Sequence, residues 1–192
     1  MNNVKQILYS FKDNIKKMYT NIELFNQFNN NKEILLFFLE KSMITLDDDL
    51  FNLFRYRIDE YDTKFCHYFY PELKDRLDET SREQIKEEIQ KDNSINLDDF
   101  EKVRQTGLNS IYICQLIRED SLDEFIKYIN EQNVSENSTI NQSLFETNRF
   151  LLKRNPTLIE YSAFYGSIQI LKYLKLKGVE ITQTLIKYAI HS

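Results

Sequence analysis

Turn chemistry is what this sequence most conspicuously lacks: 3 Gly and 2 Pro stand among its 192 residues. Sandwiches and barrels need a turn every ~8–12 residues, built from Asn-Gly, Asp-Gly and Gly-rich pairs. A fold of many short strands is therefore excluded. Apolar residues recur instead at steps of three and four, the period of helices. The chain is expected to be all-α, and it is long enough to bury roughly 70% of the surface its unfolded form exposes.

Charge narrows the partners. Lys and Arg number 25 against 30 Asp and Glu, a net of −5, which repels phosphate backbones unless positive charge is segregated. The lysine-rich pieces, Lys5 to Lys17 and Lys172 to Lys187, are interleaved with apolar residues at helical spacing and read as solvated flanks, so no nucleic-acid partner is expected. The most apolar run, Ile34 to Leu39, falls far short of the ~20 residues a membrane helix needs. The first residues carry no signal-peptide pattern. No membrane partner is expected. Cys66 and Cys114 have apolar or aromatic neighbours and no Cys/His ligand spacing, which suits reduced thiols in a cytoplasmic protein and gives neither a disulfide framework nor a metal site.

Residues 1–106 read as a helical domain. Val4, Leu8, Phe11, Ile15, Met18, Ile22 and Phe25 alternate steps of four and three, a heptad pattern that serves either a coiled-coil dimer or an amphipathic helix packed on its own domain. Two Phe and few clean flanking charge pairs favour the second. Asn29 to Asn31 breaks that pattern, and a second helix is expected from Lys32 to Met43. Asp47 to Asp49 should cap the next helix rather than hold a divalent ion, since no calcium-loop spacing follows. Phe51, Phe54, Tyr56 and Ile58, continuing through Tyr61, Phe65 and Phe69 to Tyr70, form an aromatic stretch that reads as core rather than as a ligand box. Ser81 to Gln84 has a capping-box pattern opening a charged helix to Lys91. A short helix after Asn96 (Leu97, Phe100, Val103) stops at Gly107.

Residues 107–192 carry an internal repeat. Thr157-Leu-Ile-Glu-Tyr-Ser-Ala163 recurs 27 positions later as Thr184-Leu-Ile-Lys-Tyr-Ala-Ile190, with Thr, Leu, Ile and Tyr identical. Between them, Phe164-Tyr-Gly166 leads into an apolar helix ending at Gly178. This block resembles an ankyrin repeat. Thr157, Ile159, Ala163, Gly166, Ile168, Ile170, Leu171, Leu174, Gly178 and Ile181 fall on the family's positions. Ala163 is small enough for paired helices to approach, and Gly166 suits the tight turn between them. Ile111 to Ile129 looks like a degenerate first copy in which Asp120 stands where Gly166 does. The two are 46 positions apart against a family period of about 33, so an insertion of about 13 is expected within a loop at 133–155. Glu160 replaces the family's His, and the chain stops partway through a third copy. The region from Ser143 to Ser192 also looks like a large protist family that joins a helical N-terminal domain of unknown function to ankyrin repeats. The resemblance covers the last ~80 residues in repeat terms and rests over residues 1–106 on general helical, aromatic-rich character.

That resemblance implies a short solenoid (degenerate first repeat, one full repeat, one partial repeat) that binds an unidentified protein and names no catalytic residue or cofactor. Family contacts fall on the two positions before the turn Gly, here Arg118 and Glu119, Phe164 and Tyr165, and His191 and Ser192. Aromatics favour interface hot spots, while packing beneath the insertion is an equal alternative for Phe164 and Tyr165. The sequence offers no enzyme: it has two histidines and no phosphate-binding loop, and Cys66 and His67, adjacent on a helix, should diverge by about 100°. The rival class is self-assembly, a homodimer through the heptad helix or through the apolar face of Leu185 to Ile190, which either a second copy or further repeats would cover.

Overall fold

The computed structural model describes residues 3–57, 62, 64–93 and 99–191, the side chains of 92 and 93 apart. Ile58, Tyr61, Asn96, Leu97 and Ser192 lie outside the described residues. Among the described residues every regular element is helical except a single antiparallel bridge, Thr139 to Thr157, so the fold is all-α. No described helix is long and apolar enough to cross a membrane. The chain divides into two compact units, residues 1–107 with 147–149, and residues 108–146 with 150–192.

The first unit holds α1 (Asn3–Ser10), α2 (Lys12–Met18), α3 (Asn21–Phe28), α4 (Lys32–Glu40), α5 (Asp48–Tyr56), α6 (Phe65–Tyr68), α7 (Tyr70–Leu73), α8 (Glu79–Asn93) and α9 (Phe100–Arg104). The heptad run does not make one helix. It breaks at Phe11 and at Tyr19, because Thr20 starts a new helix there. Thr20 Oγ1 accepts from the Glu23 amide at 3.2 Å, and Glu23 Oε2 accepts from the Thr20 amide at 2.8 Å. This reciprocal cap outweighs the continuous apolar pattern. α1 and α2 hold no fully buried residue: Leu8 and Ile15 are half-buried, while Val4, Ile7, Met18 and the intervening Phe11 are exposed. Lysines also hold them: Lys5 pairs with Glu33 at 2.6 Å, Lys12 donates to the Lys41 carbonyl at 2.6 Å, and Lys16 to that of Ser42 at 3.1 Å.

Among the described residues the aromatic stretch is core, with Tyr56 exposed. Phe54 meets Phe25 at 5.0 Å, Phe65 at 5.7 Å and Phe69 at 4.6 Å between ring centres. α4 stops at Glu40, short of Met43, because Ser42 turns left-handed at φ +51°. Asp47 caps α5 by accepting from the Leu50 amide at 2.8 Å. α8 begins before the Ser81 pattern: Asp78, not Ser81, is the cap, accepting from the Ser81 amide at 2.8 Å. Two buried cations flank the Tyr68 ring. Lys32 Nζ lies 4.9 Å from its centre and pairs with Asp62 at 3.2 Å, while Arg104 Cζ lies 5.7 Å away.

The second unit contains α10 (Tyr112–Arg118), α11 (Leu122–Glu131), the short α12 (Arg149–Leu152), α13 (Leu158–Tyr165), α14 (Ile168–Leu176) and α15 (Thr184–Ile190). α10 packs on α11 and α13 on α14. The two hairpins then stack, α10 on α13 and α11 on α14, with α15 against α13. Their turns match. Asp120 and Gly166 are left-handed at φ +50° and +69°, and the next amide returns to the helix it leaves, Ser121 to Leu116 at 3.0 Å and Ser167 to Ser162 at 2.9 Å. Their second helices end alike, at left-handed Asn133 and Gly178, followed by Val134 to Ile129 and Val179 to Leu174 bonds of 2.9 and 3.1 Å. These are Schellman-type ends, in which a residue tolerant of positive φ lets the last carbonyls find donors.

Asp120 does more than turn. Its carboxylate accepts from the amides of Gln169 (3.0 and 3.1 Å) and Ile170 (3.0 Å), capping α14 from the preceding hairpin. α14's own Ser167 is thereby freed to donate its hydroxyl to the Ile117 carbonyl. Apart from residues 147–149, the 133–155 insertion belongs to this unit: Ile140 donates to the Pro156 carbonyl at 2.7 Å, and Leu144 and Phe145 are buried. The two identical Thr-Leu-Ile-x-Tyr segments play different parts. Thr157 caps α13 in a reciprocal pair with Glu160, whereas Thr184 lies inside α15 and donates its hydroxyl to Glu160 Oε1.

Candidate interaction surface

α13 is apolar on nearly every side, and Leu158, Ile159, Tyr161, Ser162, Ala163 and Phe164 are all buried. A helix so largely apolar belongs inside a stack, and only Glu160 in its first turn and Tyr165 at its end are part-exposed. Tyr165 is half-buried there, its ring 4.8 Å from that of Tyr161 and 5.0 Å from that of Phe164. Arg118, the last residue of α10, lies with Cζ 5.9 Å from the Tyr165 ring centre. One arm of its guanidinium donates to the Asn109 carbonyl at 2.8 Å and to Tyr161 Oη at 3.0 Å. Arg118 is thus committed to the fold. Glu119 next to it is exposed and accepts from Gln115 Nε2 at 2.9 Å.

Phe164 is corrected by the structure. At 6% exposure it is withdrawn from any contact face. It stacks against Phe150 of the insertion, 6.1 Å between centres at 14°. Burial under the insertion, the alternative left open by sequence, describes Phe164 fully and Tyr165 in part. His191 is exposed, its ring 4.3 Å from Phe150. Phe150 also meets Tyr188 at 5.0 Å, and the Arg154 guanidinium lies 4.4 Å over it. An aromatic array therefore runs from Arg118 through Tyr165, Phe164 and Phe150 to His191. Phe150 is its hub, and sequence reasoning passed over it. The available signal was the unbroken apolar triplet Phe150-Leu-Leu152 within the insertion.

Burial sets the electrostatics of this end. It raises Tyr161 above the usual phenol range, with the charge of Cys114 acting next. It pushes Tyr165 up to about 12, with Glu146 the second cause, and Cys114 up to about 12, with Arg118 opposing. The phenols stay protonated at neutral pH and remain available as donors. Among the described residues, no group of three or more His, Cys, Asp and Glu side chains is arranged to hold a metal ion. No family model matches this chain, and no curated protein or solved structure matches it.

Proposed function

We propose that the second unit is an ankyrin-type repeat stack and that the protein works as a protein–protein interaction module with no catalysis of its own. The observation that carries this reading is the pair of matched hairpins, left-handed at Asp120 and Gly166 and locked together by the Asp120 carboxylate and the Ser167 hydroxyl. Stacks of this kind present the ends of their first helices to a partner. Here that end offers Glu119, the exposed part of Tyr165, and His191, with Arg118 positioning Tyr165 from behind. The proposed setting is the cytoplasm, where the buried free thiol of Cys114 stays reduced.

The test is site-directed photo-crosslinking, with the reactive side chain at Glu119 or at Lys127 on the outer face of α11. A heterologous adduct formed at 119, absent at 127 and lost on Tyr165→Ala or His191→Ala supports the reading. Equal labelling at both positions refutes the surface. An increment equal to the chain's own mass would favour self-assembly. That second reading has one specific observation behind it: Ile186 and Ile190, four residues apart on α15, are both exposed, as is Leu176 at the end of α14. Light scattering over a concentration series, repeated with Ile186→Lys and Ile190→Lys together, distinguishes the two.

A further inference from the structure

Sequence spacing argued against a nucleophile–base pair at Cys66 and His67, and the folded chain overturns that argument. α6 is a single turn, and within it Cys66 Sγ lies 3.4 Å from His67 Nδ1. His67 Nε2 in turn lies 2.6 Å from Glu88 Oε2 on α8. Adjacent side chains on a helix leave the axis about 100° apart. The imidazole is nevertheless swung back over its neighbour because Glu88 holds the ring's far nitrogen. The order of groups is thiol, imidazole, carboxylate, the arrangement by which a base oriented by a third group activates a nucleophile.

The protons follow from the partners. Gln84, and then His67, donate to Glu88 and hold its carboxyl below the usual range. Ionised Glu88 can only accept, so Nε2 carries a hydrogen, and in the neutral imidazole the lone pair is then on Nδ1, the nitrogen beside Sγ. Burial, with Glu88's charge next, pushes the Cys66 thiol up, and Arg55 opposes this weakly. Lys91 also acts on Glu88, and Lys64, a further cation near it, is itself lowered by burial. At neutral pH the sulfur therefore keeps its proton and needs a base in the reacting step. Cys66 is partly exposed, whereas Cys114 is fully buried.

We propose that Cys66 is a modification site, a nucleophilic thiol activated by His67 with Glu88 as the positioning residue, and that its reaction partner is a small neutral disulfide. Cys66 Sγ attacks one sulfur of the disulfide while its proton passes to His67 Nδ1. The disulfide's S–S bond breaks, a new S–S bond joins Cys66 to one half, and the other half leaves as a thiolate that takes the proton from His67. Cys66 is oxidised and the departing sulfur is reduced. This site belongs to the first unit and stands independently of the repeat reading above.

The test is exposure of the full chain to bis(hydroxyethyl) disulfide at neutral pH, with the adduct located by mass spectrometry and its rate compared with that of a small cysteine peptide. Expected are a single adduct on Cys66, formed at least as fast as on the peptide, and a loss of at least tenfold in His67→Ala that added imidazole partly restores. Glu88→Gln should slow the reaction several-fold with the helix content unchanged. If His67→Ala fails to fold, His67→Gln is read in its place. A wild-type rate below the peptide's overturns the proposal, as does a folded His67 variant reacting as fast as wild type.

Discussion

Replacing Asp120 tests whether the two hairpins of the second unit are coupled as the structure has them. Its carboxylate accepts two backbone amides at the start of α14, within 3.0–3.1 Å. It does so from a left-handed backbone at φ +50°. Losing such a cap costs about 1 kcal/mol, and losing the negative charge at the helix start about 0.5 kcal/mol more. Alanine must also hold a positive φ at a further cost of about 1 kcal/mol, so Asp120→Ala should destabilise the unit by about 2.5 kcal/mol. Asp120→Gly loses the cap but adopts the turn freely and should cost about 1.5 kcal/mol. Asp120→Asn keeps an acceptor and tolerates the turn, for a loss of about 0.5 kcal/mol. The assay is urea unfolding followed by circular dichroism. The transition to be read is the one in which the Gln169 and Ile170 amides also lose protection from hydrogen exchange. An alanine variant indistinguishable from wild type, or a glycine variant less stable than the alanine one, would refute the reasoning.

Phe150→Ala removes the hub of the aromatic array and should cost about 2–3 kcal/mol, less than a fully buried Phe because the ring is half-exposed; Phe150→Leu should retain at least half of that in the same unfolding assay. Arg104 is buried and donates to both Glu72 oxygens (2.6 and 2.8 Å) and to the Tyr68 carbonyl (3.1 Å). Arg104→Ala should destabilise the first unit by about 3 kcal/mol, while exchanging Arg104 and Glu72 together for Met should recover most of it, since only the single change strands a charge. Tyr165 and Tyr188 are both raised to about 12 by burial, against about 10 when unfolded. Their folded values being the higher, the stability they contribute is complete below pH ~10 and is lost as pH climbs toward ~12. Tyrosinate absorbance should accordingly show a late cooperative step coincident with helix loss, and a single smooth titration with the helices intact would contradict it.

Local features were readable because their physics is local. Asp47 caps its helix, Asn31 starts α4 by accepting from the Ile34 amide at 3.0 Å, and Gly107, Gly166 and Gly178 all take positive φ. Each outcome depends on a few adjacent residues. The heptad run misled for the same reason in reverse: periodicity extends a helix only until a stronger local signal intervenes, and Thr20 with Glu23 is one. The identical Thr157 and Thr184 segments parted because a hydroxyl caps a helix only when its residue stands just outside the first turn.

What the sequence by itself determined is therefore the all-helical class, the helix ends marked by Gly107, Gly166 and Gly178, and much of the aromatic core. Periodicity, capping and the scarcity of turn residues act within one or two turns of chain. Only the tertiary structure decided that Asp120 caps a helix 49 residues away, that Phe164 is buried beneath Phe150, and that Glu88 brings His67 within reach of Cys66. Those contacts join residues whose separation along the chain carries no information about their separation in space. Each is set by how packed helices bring distant side chains together, which no local pattern encodes.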